Sequence, residues 1–260
     1  MKLDTGVLFP RGTEQGVVIR PITTQRDLHA CVALQQRTWG DGFGEVVPRS
    51  ILKIASRLGG VVAGAFAADN TLLGFVFGIT GLERGAVVHW SHMLAVAPEV
   101  QNRGIGRALK AHQRAEMAAI GASVIYWTFD PLVARNAHLN FNVLGVRAVE
   151  YVEDMYGESS SPLHRGIGTD RLVVAWPVLD ADLQVRREEA KRRTRVSASR
   201  LLRLAVPADV EALQQSDMAA AIAWREASRR QFQKAFREGY SVDGFELDSV
   251  DGRGWYLLSR

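Results

Sequence analysis

Cysteine is almost missing: Cys31 is the only one in 260 residues. One thiol closes no internal disulfide and builds no multi-cysteine zinc site, so a reducing compartment fits and no metal is expected. No run reaches the roughly 18 uninterrupted apolar residues of a membrane span. Met1–Arg20 lacks the apolar stretch that follows a basic start in secretory signals. Together these absences predict a cytoplasmic protein with no membrane partner. A strong excess of one charge is lacking too. The formal net charge of +4 is compatible with an anionic ligand but does not by itself argue for nucleic acid. Apolar residues are plentiful, at 47%, which suffices for a packed core. The length suits one large domain or one domain with an appendage.

Along the chain, Val17–Pro21 reads as a short strand. Thr23 and Thr24 offer N-caps for a helix running to about Thr38, with Asp27 in its first turn. Trp39–Gly44 is a glycine-rich loop. Val61–Ala68 and Leu72–Thr80 form a hairpin about Asp69-Asn70-Thr71, and Gly81–Gly85 makes the next turn. Ala86–Val96 is a long strand ending before Pro98. A helix follows to about Ile120, then a strand at Val124–Phe129 and a short helix from Asn136 to Leu144, stopped by Gly145. Val146–Val152 and Arg171–Trp176 are further strands. This alternation reads as a mixed α/β sheet flanked by helices. The composition changes after Pro177: basic side chains from Arg186 to Arg203, interrupted by Glu188 and Glu189, predict a solvated helix and linker. Because no aromatic residues interleave with these charges, RNA binding is not favoured. Ala219–Glu238 is a long helix with Ala220, Ala223, Trp224, Ala227, Phe232, Ala235 and Phe236 near one face. Tyr240–Leu247 and Trp255–Leu258 are strands joined through Asp251–Gly254.

The informative segment is the loop between the long strand and the helix after it, Gln101-Asn102-Arg103-Gly104-Ile105-Gly106-Arg107. A helix start leaves about four backbone N–H groups without internal partners, and the helix dipole adds positive charge there, so the mouth suits a phosphate or diphosphate. Gly104 and Gly106 let an anion approach the backbone, while Arg103, Arg107 and Lys110 add charge. The spacing excludes two alternatives. No Lys-Ser/Thr follows as a P-loop requires, and Leu109 stands where a dinucleotide fingerprint has its third glycine.

The loop matches in full the Q/R-x-x-G-x-G/A signature of the GNAT acyltransferase superfamily, and Leu94-Ala95-Val96-Ala97-Pro98-Glu99 resembles that family's approach to it. The order of elements resembles the family's fold over roughly residues 15–180. Ser91-His92-Met93, Thr128–Leu132, Gly168–Leu172, Ala223-Trp224-Arg225 and Gly239–Phe245 further resemble a bacterial branch of these proteins, some associated with N-acylation of amino acids.

The resemblance implies a mostly antiparallel central sheet with splayed strands, flanked by helices, over residues 1–180. A basic helix or linker at 181–206 and a C-terminal α/β extension at 207–260 would follow. It implies acetyl-CoA, succinyl-CoA or another short acyl-CoA as cofactor. Leu94, Ala95 and Val96 would lie along the pantetheine arm, and Gln101, Asn102, Arg103, Gly104, Ile105, Gly106 and Arg107 around the diphosphate. An N–H near Leu94 would meet the oxyanion. The implied acceptor is a small-molecule primary amine, an amino acid being favoured, and a homodimer is left open. A non-catalytic acyl-CoA sensor is the alternative.

Two family positions depart from the pattern. Where many members carry a strand Glu, this chain has Trp90, so the base falls to His92 two residues on, which faces the same side if no bulge intervenes. His92 read blandly is a packed strand residue, and His89 is a weaker candidate. Where members often place a Tyr to protonate the thiolate, counting from Gly145 gives Phe141 and counting from Asn136 gives Val143, neither with a hydroxyl. Asn136 matches a cofactor-contacting Asn or is an N-cap. Asp130 binds a substrate amine or simply ends a strand. The Trp39–Gly44 loop is a candidate acceptor loop.

Overall fold

The computed structural model describes residues 16–157, 166–179, 202–248 and 252–260. The basic stretch from Arg186 to Arg200, and Asp251 of the expected C-terminal turn, lie outside the described residues. The chain divides into two compact units, Met1–Ile125 and Tyr126–Arg260.

In the first unit β1 (Val18–Pro21), β2 (Val61–Phe66), β3 (Leu72–Glu83) and β4 (Ala86–Val96) are neighbours in that order, and each pair is antiparallel. α1 (Gln25–Trp39) begins as expected: Thr24 accepts a hydrogen bond from the Asp27 N–H at 3.1 Å, and Asp27 pairs with Arg20 at 2.7 Å. α2 (Arg49–Arg57) is an addition to the sequence reading, burying Leu52 and Ala55 one turn apart. The predicted turn at Gly81–Gly85 is smaller than expected. β3 and β4 stay paired out to Glu83 and Ala86, and the chain reverses through Arg84 and Gly85, both at positive φ.

α3 (Ile105–Ala119) and α1 cover opposite faces of these strands. A Cβ added at Gly74 would meet Leu109 and Ile105 of α3, whereas the next residue, Phe75, lies edge-on to Trp39 of α1 at 6.3 Å. Even-numbered residues of β3 therefore face α3 and odd-numbered ones face α1.

In the second unit β5 (Val124–Phe129), β7 (Arg171–Pro177) and β6 (Arg147–Val152) lie in that order, with β6 and β7 antiparallel. α4 (Ala134–Ala137) widens into π-helical turns over His138–Leu144, which Gly145 closes in the left-handed region with its N–H on Asn140 O. β8 (Leu202–Pro207), β10 (Arg253–Ser259) and β9 (Ser241–Asp248) make a separate antiparallel sheet accompanied by α5 (Val210–Ser216) and α6 (Met218–Arg237).

Two expectations are corrected here. Leu202–Pro207 is a strand, not the end of a basic linker. Leu204 and Val206 are buried, while Arg203 lies over the Trp255 ring at 4.7 Å and pairs with Glu246 at 3.0 Å. The buried face of α6 is also shifted, to Ala221, Arg225, Ser228, Phe232 and Ala235, leaving Ala223 exposed. The shift comes from a polar residue inside, since Arg225 donates to Asp130 at 2.5 Å and to Ile167 O at 2.9 Å. Phe232 stacks on Tyr151 of β6 at 5.3 Å, which docks the helix on its own unit's strands. The fold is thus the expected α/β class, largely antiparallel strands flanked by helices with a C-terminal sheet extension.

Candidate active site

The predicted anion loop is open where the chemistry needs it open. After a short 3-10 turn at Pro98–Val100, residues 101–104 are all exposed. Gln101 donates from Nε2 to Val96 O at 3.1 Å and ties the loop back to the end of β4, while Asn102 takes a positive φ of 63°. Arg37 of α1 holds Glu99 at 2.8 Å, a second tether. Gly104 is the N-cap of α3 at φ 81°, a conformation that strains any residue with a Cβ, and no side chain caps the helix. The first-turn N–H groups are therefore left to an outside acceptor. Gly106 needs no glycine for packing: an added Cβ would make ordinary contacts of 3.8 Å with Leu94 and Val96. Arg107 is exposed and makes no ion pair among the described residues. An uncapped, exposed, cationic helix mouth fits the diphosphate of coenzyme A.

Lys110 is a correction. It is buried, and its Nζ donates to Ser91 Oγ at 2.8 Å and to Gln113 Oε1 at 3.4 Å, away from the loop. Burial pushes its pKa well below the usual lysine value. The charge at the helix mouth is left to Arg103 and Arg107. Gln113 Nε2 lies 3.0 Å from His89 Nε2, and His89 Nδ1 lies 2.9 Å from Thr80 Oγ1, which donates onward to Gly59 O at 2.8 Å. This chain of donors places the His89 proton on Nδ1. Burial and the nearby Lys110 charge push His89 down to about 4. Gly78 makes room for the ring, for a Cβ there would fall on His89 Nε2. His89 is a structural, neutral histidine.

β4 carries a bulge. Met93 pairs with Phe77 and Ser91 with Gly78, so His92 has no partner on β3. Ser91, opposite Gly78, faces α3, and Met93, opposite Phe77, faces α1. Past the bulge Leu94 and Val96 approach Gly106 of α3, so the faces of the strand exchange parity at His92. The condition attached to His92 thus fails, yet its side chain still reaches the expected side. Its ring lies edge-on to Phe77 at 5.9 Å, and Trp90, paired with Ile79, shares that face. His92 is exposed to solvent on its remaining edge. Packing over the ring lowers its pKa below 6.5, and Glu45, which the sequence reading did not single out, opposes that shift.

The backbone of β4 beyond the bulge is ordered for a ligand strand. Ala97 N–H donates to Leu73 O at 2.8 Å, so by alternation Ala95 also directs its polar groups to β3, and Leu94 and Val96 direct theirs away from it. The Trp39–Gly44 loop is pinned: Phe43 is buried and stacks on Trp39 at 5.6 Å.

In the second unit Asn136 lies inside α4, not at its cap, which is Val133. Its side-chain amide makes no hydrogen bond among the described residues. Phe141 is buried, edge-on to Phe129 at 6.0 Å and Tyr256 at 5.9 Å. Asp130 is not available for a substrate amine: besides Arg225 it accepts from Leu132 N–H at 2.8 Å and has Arg171 at 3.8 Å.

Residues 28–140 match the acetyltransferase (GNAT) family, a stretch that contains most of α1, the bulged strand, the Gln101–Gly106 loop and α3. Among solved structures, a GNAT-family acetyltransferase from Streptococcus pneumoniae aligns with a TM-score of 0.50 at 14% identity, covering 62% of this chain and 99% of that one. The ribosomal-protein-S18-alanine N-acetyltransferase from Escherichia coli aligns at 0.47 with 18% identity, over 62% of this chain and 94% of its own. A putative acetyltransferase from Salmonella typhimurium, solved with its cofactor acetyl-CoA, aligns at 0.49 with 16% identity, over 64% and 95%. No curated protein matches the chain. The family's signature thus sits on an exposed, uncapped helix start inside the matched stretch, and residues 28–140 carry the chain's similarity to the GNAT acetyltransferases.

Proposed function

We propose that the protein transfers a short acyl group, acetyl or succinyl, to the primary amine of a small metabolite, with an amino acid as the favoured acceptor. The observation that carries this reading is the uncapped, exposed mouth of α3 following a strand whose bulge presents His92. Bound acyl-CoA supplies an activated thioester. The N–H groups of Ile105, Gly106 and Arg107, with the Arg103 and Arg107 charges, hold the diphosphate. Leu94 and Val96 pair with the pantetheine arm through the polar groups they direct away from β3, and the Leu94 N–H serves the oxyanion. His92 accepts the amine's proton. Its lowered pKa keeps it neutral near pH 7, the form that can do so. For Asn136 as a cofactor contact the support is its unbonded amide, and for Phe141 it is the resemblance alone. With no hydroxyl at Phe141 or Val143, water protonates the departing thiolate. The domain limits proposed are 1–180 for acyl-CoA handling, with the C-terminal extension appended, acting in the cytoplasm.

Thiol release from acetyl-CoA and succinyl-CoA over an amine panel tests the reading. We expect release with at least one pair, and a kcat loss of roughly 100-fold in His92→Gln with the acyl-CoA KM unchanged. Tight acyl-CoA binding by calorimetry with no release above background for every pair would overturn it.

A further inference from the structure

The segment joining α1 to α2 is fastened at two points. Phe43 is stacked on Trp39. Val47 is clamped by a buried Gln35, accepting its N–H at 2.8 Å and donating to its carbonyl at 3.2 Å. Glu45 lies midway, two residues from each anchor, so its Cα stays within about 7 Å of both. The anchors share a face with His92: Trp39 packs on Phe75, Phe77 lies two residues along the same side of β3, and His92 packs on Phe77. Glu45 is close enough for its charge to act on the His92 imidazole.

Glu45 is exposed, and among the described residues it has no hydrogen bond or ion pair. It is a carboxylate whose chain is anchored on both sides and which has no cation paired with it among the described residues. The strand surface around His92 is apolar: Phe77 is buried, and Ile79 keeps 49% of its surface exposed next to its cross-strand partner Trp90. An anchored anion near an apolar surface recognises an ammonium carried on an uncharged carbon skeleton, and repels a ligand whose own carboxylate adjoins the amine.

We infer that Glu45 anchors the acceptor's ammonium beside His92, and that the acceptor's reacting amine is remote from any carboxylate. For an amino-acid acceptor this selects a side-chain amine over the α-amine. The inference rests on the acyltransferase site described above and deepens it.

The test uses the full chain and three probes: phenethylammonium chloride, phenethyl alcohol and phenylalanine. NMR shifts of the His92 ring, assigned with His92→Gln, report binding without turnover. Phenethylammonium should give a saturable shift, and the neutral alcohol and phenylalanine weaker ones. Glu45→Gln should weaken the ammonium roughly fivefold or more while leaving the alcohol unchanged. Glu45→Gln is at an exposed position, and an unchanged melting temperature confirms its fold. No ammonium-dependent shift at His92 in the parent chain, or equal affinity in Glu45→Gln, overturns the inference. Thiol release scores the enzyme reading separately. Release with an unaffected Glu45→Gln removes Glu45 and keeps the enzyme. Ammonium binding lost in Glu45→Gln with no release under any condition keeps the anchor and removes the enzyme.

Discussion

At Gly106 a side chain has room, because an added Cβ would rest 3.8 Å from Leu94 and Val96. Packing therefore does not require the glycine, whereas the proposed diphosphate site does. Gly106→Ala should fold normally, with a melting temperature within about 3 °C of the parent, since the added Cβ meets only ordinary contacts. Its methyl group stands between the start of α3 and Leu94 and Val96, so acetyl-CoA affinity by calorimetry should fall roughly tenfold or more if the ligand lies there. Retained affinity would remove the helix mouth from the site. Gly104 differs, for its φ of 81° makes it a backbone requirement first. Both residues were legible in the sequence through the loop signature. Lys110 was not, because a charged residue six positions past a helix cap gives no sign of which face it takes. Its burial follows from Ser91 and Gln113 converging on it. The bulge at His92 was equally hidden: an extra residue in a ladder is a property of two strands together, and β4 alone looks regular.

Among elements, α6 shows why periodicity misplaced a helix face. The apolar residues Ala220, Ala223 and Trp224 suggested one side, whereas a buried ion pair between Arg225 and Asp130 set another. Asp130, a candidate for a substrate amine, and Arg225, part of a string that resembles the family's bacterial branch, form one contact 95 residues apart in sequence. Removing one partner leaves the other charge uncompensated in a low-dielectric setting. Arg225→Met should cost about 3–5 kcal/mol in denaturant unfolding, and adding Asp130→Asn should recover part of it. No loss in the single variant would contradict the pair's role. Other elements were more legible. The β2–β3 hairpin, β4, α3 and β5 followed from apolar runs and turn residues, because burial on one face, or on both as in β2, keeps their inward positions apolar. α2 carried a readable signal in Leu52 and Ala55, one turn apart after Pro48. β8 was obscured by the arginines before it and by Arg203 within it, whose guanidinium lies over an aromatic ring.

For the molecule as a whole, histidines whose pKa is depressed in the fold contribute to how stability answers to acid. His89, His92 and His112 are all pushed below the ordinary value by burial. For His89 the folded value is about 4 against 6.5. On acidification the unfolded chain takes up the proton first, so stability is complete above pH 6.5 and declines as pH falls towards 4. His89 alone contributes up to about 3 kcal/mol to that decline. Melting temperatures across this window should fall steadily in the parent chain and more shallowly in His89→Gln, whatever that variant's absolute stability. Equal slopes would show that the histidine is not held neutral. The bulge has a different consequence, for chain length. Because His92 is supernumerary to the ladder, Ser91 and Met93 already occupy positions that would alternate correctly if joined directly. A chain one residue shorter at this point could keep every pair between β3 and β4 and lose only His92, so the proposed base and the sheet's architecture are separable here.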